Sequence, residues 1–289
     1  MFQPWIFLVI IAAVIAAFAR IFQKKVMANP KHDSITLSFI FQFAAALIFL
    51  LYGLATNTFA IPDLSSVWLN VLAMIVLYAA GNILSFLAFE FAEASEASIL
   101  FPTSTIWSVV TALLFLGEKL TQQQVWGIIV MILGIMFTYF EKTSWRFNKG
   151  HLFALVSSFF YGIAFTNDIF IMNLFDSVAS YMFLIFLLPA LAILLVRPKL
   201  LTKIKFYFSS FKAINLLLSS IIFYCFATIA YFTAYRWGGQ ASLISPIFQT
   251  SVIFTVLLSA LLLNEKKHLG QKFIGALITF VGVILIINM

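Results

Sequence analysis

An all-α membrane protein of ten transmembrane helices, arranged as two inverted five-helix repeats, is the fold class this sequence predicts, and three observations predict it. The first is composition. Of 289 residues, 63% are hydrophobic and only 9% charged, which is more apolar surface than a soluble core can hide. The second is ten apolar runs, at about 4–25, 34–54, 67–91, 96–117, 123–140, 150–172, 177–196, 213–235, 240–263 and 271–288, each near the roughly 20 residues a lipid-spanning helix needs. The third is an internal repeat. EASILFPTSTIWSVVTALLFLGEK at 96–119 returns as QASLISPIFQTSVIFTVLLSALLLNEK at 240–266. Each copy opens on Ala-Ser, has a proline four residues later (Pro102, Pro246) and ends an apolar run at Glu-Lys. Aligned from the glutamates, Ser104 falls on Ser251, and the second copy has three extra residues just after its proline. A duplicated unit of five spans inverts its second copy. Membrane-barrel strands would alternate apolar and polar residues, whereas Ala73–Ala80 and Leu187–Val196 run almost unbroken.

The spans carry their polar residues sparingly. Span 1 holds Arg20, a cation at membrane depth that either binds an anion or reaches the interface on its long stem. Span 2 has Gln42 near its middle, where an interhelical hydrogen bond is the default. Tyr78, Asn82, Phe86 and Glu90 recur at four-residue steps in span 3 and share one face; Asn82 is a candidate cavity residue and Glu90 an interfacial one. Pro102 and Pro246 remove a backbone donor inside spans 4 and 9, so both spans should kink. Beside the kinks stand Ser104 and Trp107 in one copy, Gln249 and Ser251 in the other.

In spans 5 and 10, Gly127 with Gly134 and Gly275 with Gly282 form seven-residue small stripes suited to close helix packing, at the rim or between halves. The polar segment EKTSWRFNKG at 141–150 divides the chain into units 1–145 and 146–289. Span 6 carries Tyr161, Asn167 and Asp168. AAFARIF at 16–22 resembles IAFTNDIF at 163–170, which sets Asn167 opposite Arg20 and makes Asp168 a candidate proton or gating site that a solvated position also explains. Tyr224, Thr228, Tyr231 and Tyr235 fall roughly on one face of span 8.

The formal charge of +7 points to a membrane, not to nucleic acid. Fourteen Lys and Arg residues sit in loops on one side of the ten spans, only Lys119 and Arg236 on the other, and Arg20 lies inside a span. Because cytoplasmic loops carry the basic excess, both termini are expected outside the cytoplasm. One cysteine, Cys225, excludes an internal disulfide and a cysteine metal cluster. His32, His151 and His268 all fall at the inner ends of spans, far apart in sequence, so no metal site is expected. No phosphate loop, nucleophile elbow or zinc motif is present. An enzyme and an ATP-driven pump therefore have no visible chemistry, and no cofactor is expected.

The Ala-Ser opening of span 4, its Gly-Glu-Lys end, LAFEFAEASEASIL at 87–100, LLFLGEKLTQQQVWGIIVMILGI at 113–135 and IGALITFVGVILI at 274–286 together resemble the drug/metabolite transporter superfamily, in its ten-helix branch with two EamA repeats. The resemblance covers nearly the whole chain and is specific for the superfamily, not for a substrate. It implies alternating access around a cavity lined mainly by spans 1, 3, 4, 6, 8 and 9. Here those spans hold Arg20, Asn82, Ser104, Trp107, Tyr161, Asn167, Tyr224, Tyr231 and Gln249. The chain departs from the pattern in Asn264, where its first half has Gly117, and in Glu90; both bear on the cytoplasmic mouth. The expected function is a secondary transporter, in the exporting direction, of small amphipathic metabolites such as amino acids across a bacterial inner membrane. Its partners are substrate and lipid, with protons as a candidate coupling ion. The alternative is a membrane scaffold or lipid-interacting protein whose polar residues serve as helix glue.

Overall fold

In a medium without water, backbone polar groups must be satisfied inside their own segment, and an uninterrupted apolar run does so as a helix. The computed structural model describes residues 3–29, 32–92, 97, 100–117, 119–138, 148–264 and 269–287. Ser98, Glu118, Glu265 and His268 lie outside them, and for Pro102, Ser245 and Pro246 the backbone alone is described. The first half contains α1 (Pro4–Met27), α2 (Ser34–Ala55), α3 (Trp68–Phe91), α4 (Ser104–Phe115) and α5 (Gln122–Thr138). The second contains α6 (Lys149–Met172), α7 (Val178–Val196), α8 (Phe211–Arg236), α9 (Ala241–Phe248), α10 (Ser251–Leu262) and α11 (Leu269–Ile287). Six of these, α1, α2, α3 with the turn before it, α6, α7 and α8, are long and apolar enough to cross a bilayer. A helix of α1's 24 residues is roughly 36 Å long, enough for a hydrocarbon core of about 30 Å. Among the described residues there is no strand.

The fourth and ninth spans are both broken, the fourth at its proline and the ninth three residues beyond Pro246, which itself lies within α9, while Pro189 lies within an unbroken α7. In the first half a 3-10 turn, Phe101–Thr103, leads into α4. In the second, a turn at Gln249 and Thr250 separates α9 from α10. Both α4 and α10 are 12 residues long and begin at the aligned serines, Ser104 and Ser251. The surplus after Pro246 is thus extra helix, which moves the break from beside the proline to a few residues beyond it. Past their ends the two helices also agree: Gly117 and Asn264 both take left-handed backbone, φ 64° and 63°. Asparagine tolerates that region better than other non-glycine residues. The departure at Asn264 therefore changes the side chain and leaves the helix cap as it was.

Helix α1 packs on α8 and α10, and α6 packs on α3 and α4, while α2 pairs with α7 and α5 with α11. Exchanging each helix for its counterpart in the other half leaves this pattern unchanged, as an in-plane two-fold axis between inverted repeats requires. Small residues allow the closest approaches. Alanines 12, 13, 16, 17 and 19 of α1 are buried, and beside them Phe18 and Phe22 stack on Phe223 of α8. A Cβ on Gly162 of α6 would stand 2.4 Å from the Cβ of Trp107 on α4. The glycine stripes of spans 5 and 10 face each other: a Cβ at Gly134 would lie 2.4 Å from the Thr279 nitrogen, and one at Gly282 2.4 Å from that of Met131. Gln42, in contrast, donates to Ser38 within its own helix and not across to a neighbour.

At the end of the molecule where α1 finishes and α2 begins, Asp33 caps α2 by accepting from the Thr36 N–H at 3.0 Å and from its hydroxyl. Lys203 lies 3.3 Å from the same carboxylate. Burial pushes this carboxyl up, but the Thr36 N–H and hydroxyl with the Lys203 charge outweigh it and hold Asp33 below the usual carboxylate range. Tyr207 exchanges hydrogen bonds with the Asp33 backbone and stacks on His32 at 4.0 Å. His151 completes a capping box with Asn148 at the start of α6. Both described histidines are thus structural.

Two outcomes follow. Gly134→Ala forces a methyl into backbone across the α5–α11 contact and should cost about 1–3 kcal/mol, read as a lowered melting temperature in detergent; an unchanged melting temperature would contradict this close contact. Asp33→Asn keeps a good cap but loses the charge. Because the folded carboxyl titrates below its unfolded value, its stabilisation is whole well above an unfolded pKa of about 3.9 and disappears as pH falls through the lower folded value. Wild type should therefore melt higher than the variant at pH 7, and the gap should close below about pH 4; a gap independent of pH would remove the charge from the account.

Candidate functional site

The packing leaves two bundles, α1 with α8 and α10 on one side and α6 with α3 and α4 on the other. Between them lies a cavity of about 140 Å³. A cavity of this order holds a body the size of benzene, and it is smaller than the roughly 300 Å³ at which drug-sized pockets begin. Its walls are aromatic. Tyr161 stands edge-on to Tyr78 at 5.9 Å and stacks on Phe165, which lies 5.8 Å from Tyr231; Tyr231 in turn meets Phe248 at 5.1 Å.

Polar groups enter this wall where the helices break. Gln249, in the turn between α9 and α10, is buried and donates to the Ser104 hydroxyl at 3.3 Å, so the break of one half meets the first residue of α4 in the other. Arg20 of α1 donates to the hydroxyl of Ser251, the first residue of α10, at 3.0 Å. Asn82 lines the cavity with its amide turned back onto the Tyr78 carbonyl at 3.0 Å.

Of the residues singled out from the sequence, Arg20, Asn82, Ser104, Tyr161, Tyr224, Tyr231 and Gln249 line this cavity together. Trp107 and Asn167 do not. On α4 the buried residues are Ser104, Thr105, Ser108, Thr111 and Ala112, with the Thr111 hydroxyl 2.6 Å from that of Thr166 on α6. Trp107 falls on the flank of that face, 39% exposed, with its ring edge-on to Phe159 at 4.9 Å. Asn167 exchanges hydrogen bonds with Asn70, 2.8 Å to its Oδ1 and 2.9 Å from its Nδ2 to the Asn70 carbonyl, and so ties α6 to α3. The helical angle of about 100° per residue separates it from its neighbour Asp168.

Asp168 is wholly buried, not at a solvated end. It accepts a hydrogen bond from the Tyr78 hydroxyl on one oxygen, while its other oxygen and the buried Tyr181 hydroxyl of α7 make none among the described residues. Tyr78 also lines the cavity. One phenol thus stands between the cavity and the buried acid. The sequence put Tyr78 on the same face as Asn82, but the link to Asp168 depends on α3 and α6 packing together and has no local signal.

Gln23, Ser85 and Phe165 also line the cavity. The first two had a signal that was not used, since each stands three residues beyond a singled-out residue, Arg20 or Asn82, and so shares its face. Two cationic contacts close the seam between the bundles at opposite ends. Lys24 of α1 donates to the carbonyls of Phe89 and Ala92 at the end of α3, at 3.1 and 2.8 Å. Arg236 of α8 donates to the carbonyls of Asp176 and Phe175 just after α6, both at 2.7 Å. In each half, then, a cation on one member of the first and third spans holds carbonyls at the end of the other. Among the described residues there is no cluster of three side chains suited to a metal ion.

Comparison with curated proteins finds no match. A crystal structure described only as that of a protein is similar to this chain, with a TM-score of 0.69 at 13% identity, over 98% of this chain and 95% of its own; at that identity the likeness is one of fold. A model of the EamA-like transporter family matches residues 3–140 and again residues 148–288. Two copies of that model account for nearly the whole chain, and they coincide with the two sets of five spans whose packing is exchanged by the two-fold axis. The chain belongs to the EamA-like transporter family, and is a membrane transporter of the drug/metabolite type.

Proposed function

We propose that this transporter exports a small zwitterionic or neutral metabolite with an apolar body, an amino acid being the leading class, across a bacterial cytoplasmic membrane by alternating access coupled to protons. The cavity between the two bundles is the observation that carries this reading. Aromatic walls suit an apolar body, the polar groups of Asn82, Ser104 and Gln249 suit a few hydrogen bonds, and Arg20 suits a carboxylate. Its volume disfavours a sugar phosphate, and a dianion would need more buried counter-charge than one arginine supplies.

Protons enter the reading through Asp168. A carboxyl group in a membrane interior is costly to keep charged and commonly marks a proton path, and Tyr78 links it to the cavity. Asp168 stands toward the end opposite the basic loops. With those loops in the cytoplasm and both termini outside, the acid is nearer the outer face, where an inward proton gradient delivers protons in exchange for substrate leaving. The Lys24 and Arg236 contacts bridge the two bundles at opposite ends of the cavity, so rocking one bundle against the other opens the cavity to one side at a time as one contact parts. The scaffold alternative is disfavoured by membership in a transporter family.

Purified protein in liposomes should show counterflow of a neutral or zwitterionic metabolite, and Ser104→Trp should abolish it while the protein stays folded. Asp168→Asn should retain counterflow but lose accumulation driven by a pH gradient. Absence of counterflow across a broad amino-acid panel would sink the substrate class, and pH-driven accumulation by Asp168→Asn would sink the coupling. The gates are read separately, with a cysteine placed at Phe165 in a Cys225→Ala background and an impermeant thiol reagent added from either side. Lys24→Gln should raise labelling from the basic side and Arg236→Gln from the opposite side, each by severalfold; equal labelling from both sides in both variants would dismiss the gating role.

A further inference from the structure

The stretch between α7 and α8 does more than connect them. Residues 197–212 carry Arg197, Lys199, Lys203, Lys205 and Lys212 and no acidic residue. Most of it is a 3-10 helix, Pro198–Phe206. One row of its side chains holds it to the protein: Leu200 is buried, Ile204 packs against the core, and Tyr207 is buried and bonded to the Asp33 backbone. With Lys203 paired to Asp33 as well, the segment is fixed in position.

Beside the exposed Pro198, Thr202, Ser209 and Ser210, the outward side chains of the segment are of two kinds. Leu201, Phe208 and Phe211 are 52%, 49% and 84% exposed, and Phe211 is the first residue of α8. Lys199, Lys205 and Lys212 are exposed among them, and the Lys205 ammonium lies over the Phe206 ring at 5.5 Å from its centroid. Large apolar side chains interleaved with cations, on a segment joining two membrane helices, match the chemistry of a bilayer's interface: apolar groups for the acyl boundary and cations for phosphates. An acidic protein would match the lysines but would leave the phenylalanines and leucine no better covered than lipid does.

We propose that residues 197–212 form an interfacial foot that binds the headgroups of anionic phospholipids. Its lysines select those headgroups over zwitterionic ones, while Leu201, Phe208 and Phe211 insert at the acyl boundary. The foot is built on the Asp33 cap of α2, so lipid held there braces the same end of the molecule as the Lys24 contact.

The test is native mass spectrometry of the intact protein, titrated with phosphatidylglycerol or with phosphatidylcholine of the same acyl chains. Wild type should bind the anionic lipid more tightly, and the preference should weaken as ionic strength rises. Lys199, Lys205 and Lys212, replaced together by Gln, should lose most of that preference, a drop on the order of tenfold, whereas replacement of all three by Arg should keep it. Lys119→Gln, at the opposite end, should behave as wild type. Equal affinity of wild type for the two lipids, an unchanged preference in the Gln variant, or an equal loss in Lys119→Gln would each overturn the proposal. So would binding of a soluble polyphosphate as tight as that of the anionic lipid, since the surface would then be a general polyanion patch. If the Gln variant fails to fold, Phe211→Ser with Phe208→Ser, which removes insertion and leaves every charge, should weaken binding of both lipids; unaltered binding there would likewise overturn it.

Discussion

The structure depends on a single constraint: a helix broken inside a membrane frees backbone carbonyls that no water can satisfy. Spans 4 and 9 are broken, the first break half-buried and the second buried in protein, and both are supplied with hydroxyls. The Leu100 carbonyl accepts from Thr103 at 2.7 Å and from Ser158 of α6 at 3.1 Å. The Ile247 carbonyl accepts from Thr250 at 2.8 Å. Such partners are polar, and burying them beside the breaks puts polar chemistry near the middle of an apolar molecule. The cavity lies there for that reason, with Ser104 and Gln249 meeting across it.

Inversion places each break against the first helix of the other half, α10 on α1 and α4 on α6. The backbone obeys this symmetry closely, down to the left-handed residues after α4 and α10. The side chains do not. Where α1 has Arg20 bonded to Ser251, α6 has Asn167 bonded to Asn70 and, one residue on, the buried Asp168. A symmetric scaffold thus carries asymmetric polar chemistry, a guanidinium in the cavity wall and a carboxyl group behind Tyr78.

The close contacts that hold the bundles together are made by residues with little or no side chain, the alanines of α1, Gly162 of α6 and the stripes of α5 and α11. Between lipid-exposed helices there is little hydrophobic gain from association, so close packing has to provide the attraction. Large aromatic residues are then free to line the cavity, where Tyr161, Phe165 and Tyr231 form its wall.

By itself the sequence determined what depends on local periodicity and on the solvent. Run lengths and the scarcity of charge imply ten spans, the repeat implies inversion, the prolines imply an interruption in spans 4 and 9 though not its place in span 9, and four-residue steps put Tyr78, Asn82 and Phe86 on one face. Each of these is a property of one helix in lipid. Only the tertiary structure decided which faces meet. Trp107 and Asn167 stand near lining residues in sequence yet outside the cavity, because at about 100° per residue Trp107 is about 60° off the direction of Ser104 and Asn167 about 200° from that of Phe165. Asp168, near the end of α6, is buried because α6 packs on α3, whose Tyr78 bonds to it. The Lys24 and Arg236 contacts join helices dozens of residues apart in the chain. Pairings of that kind follow from how the ten spans pack against one another, and no short stretch of sequence encodes them.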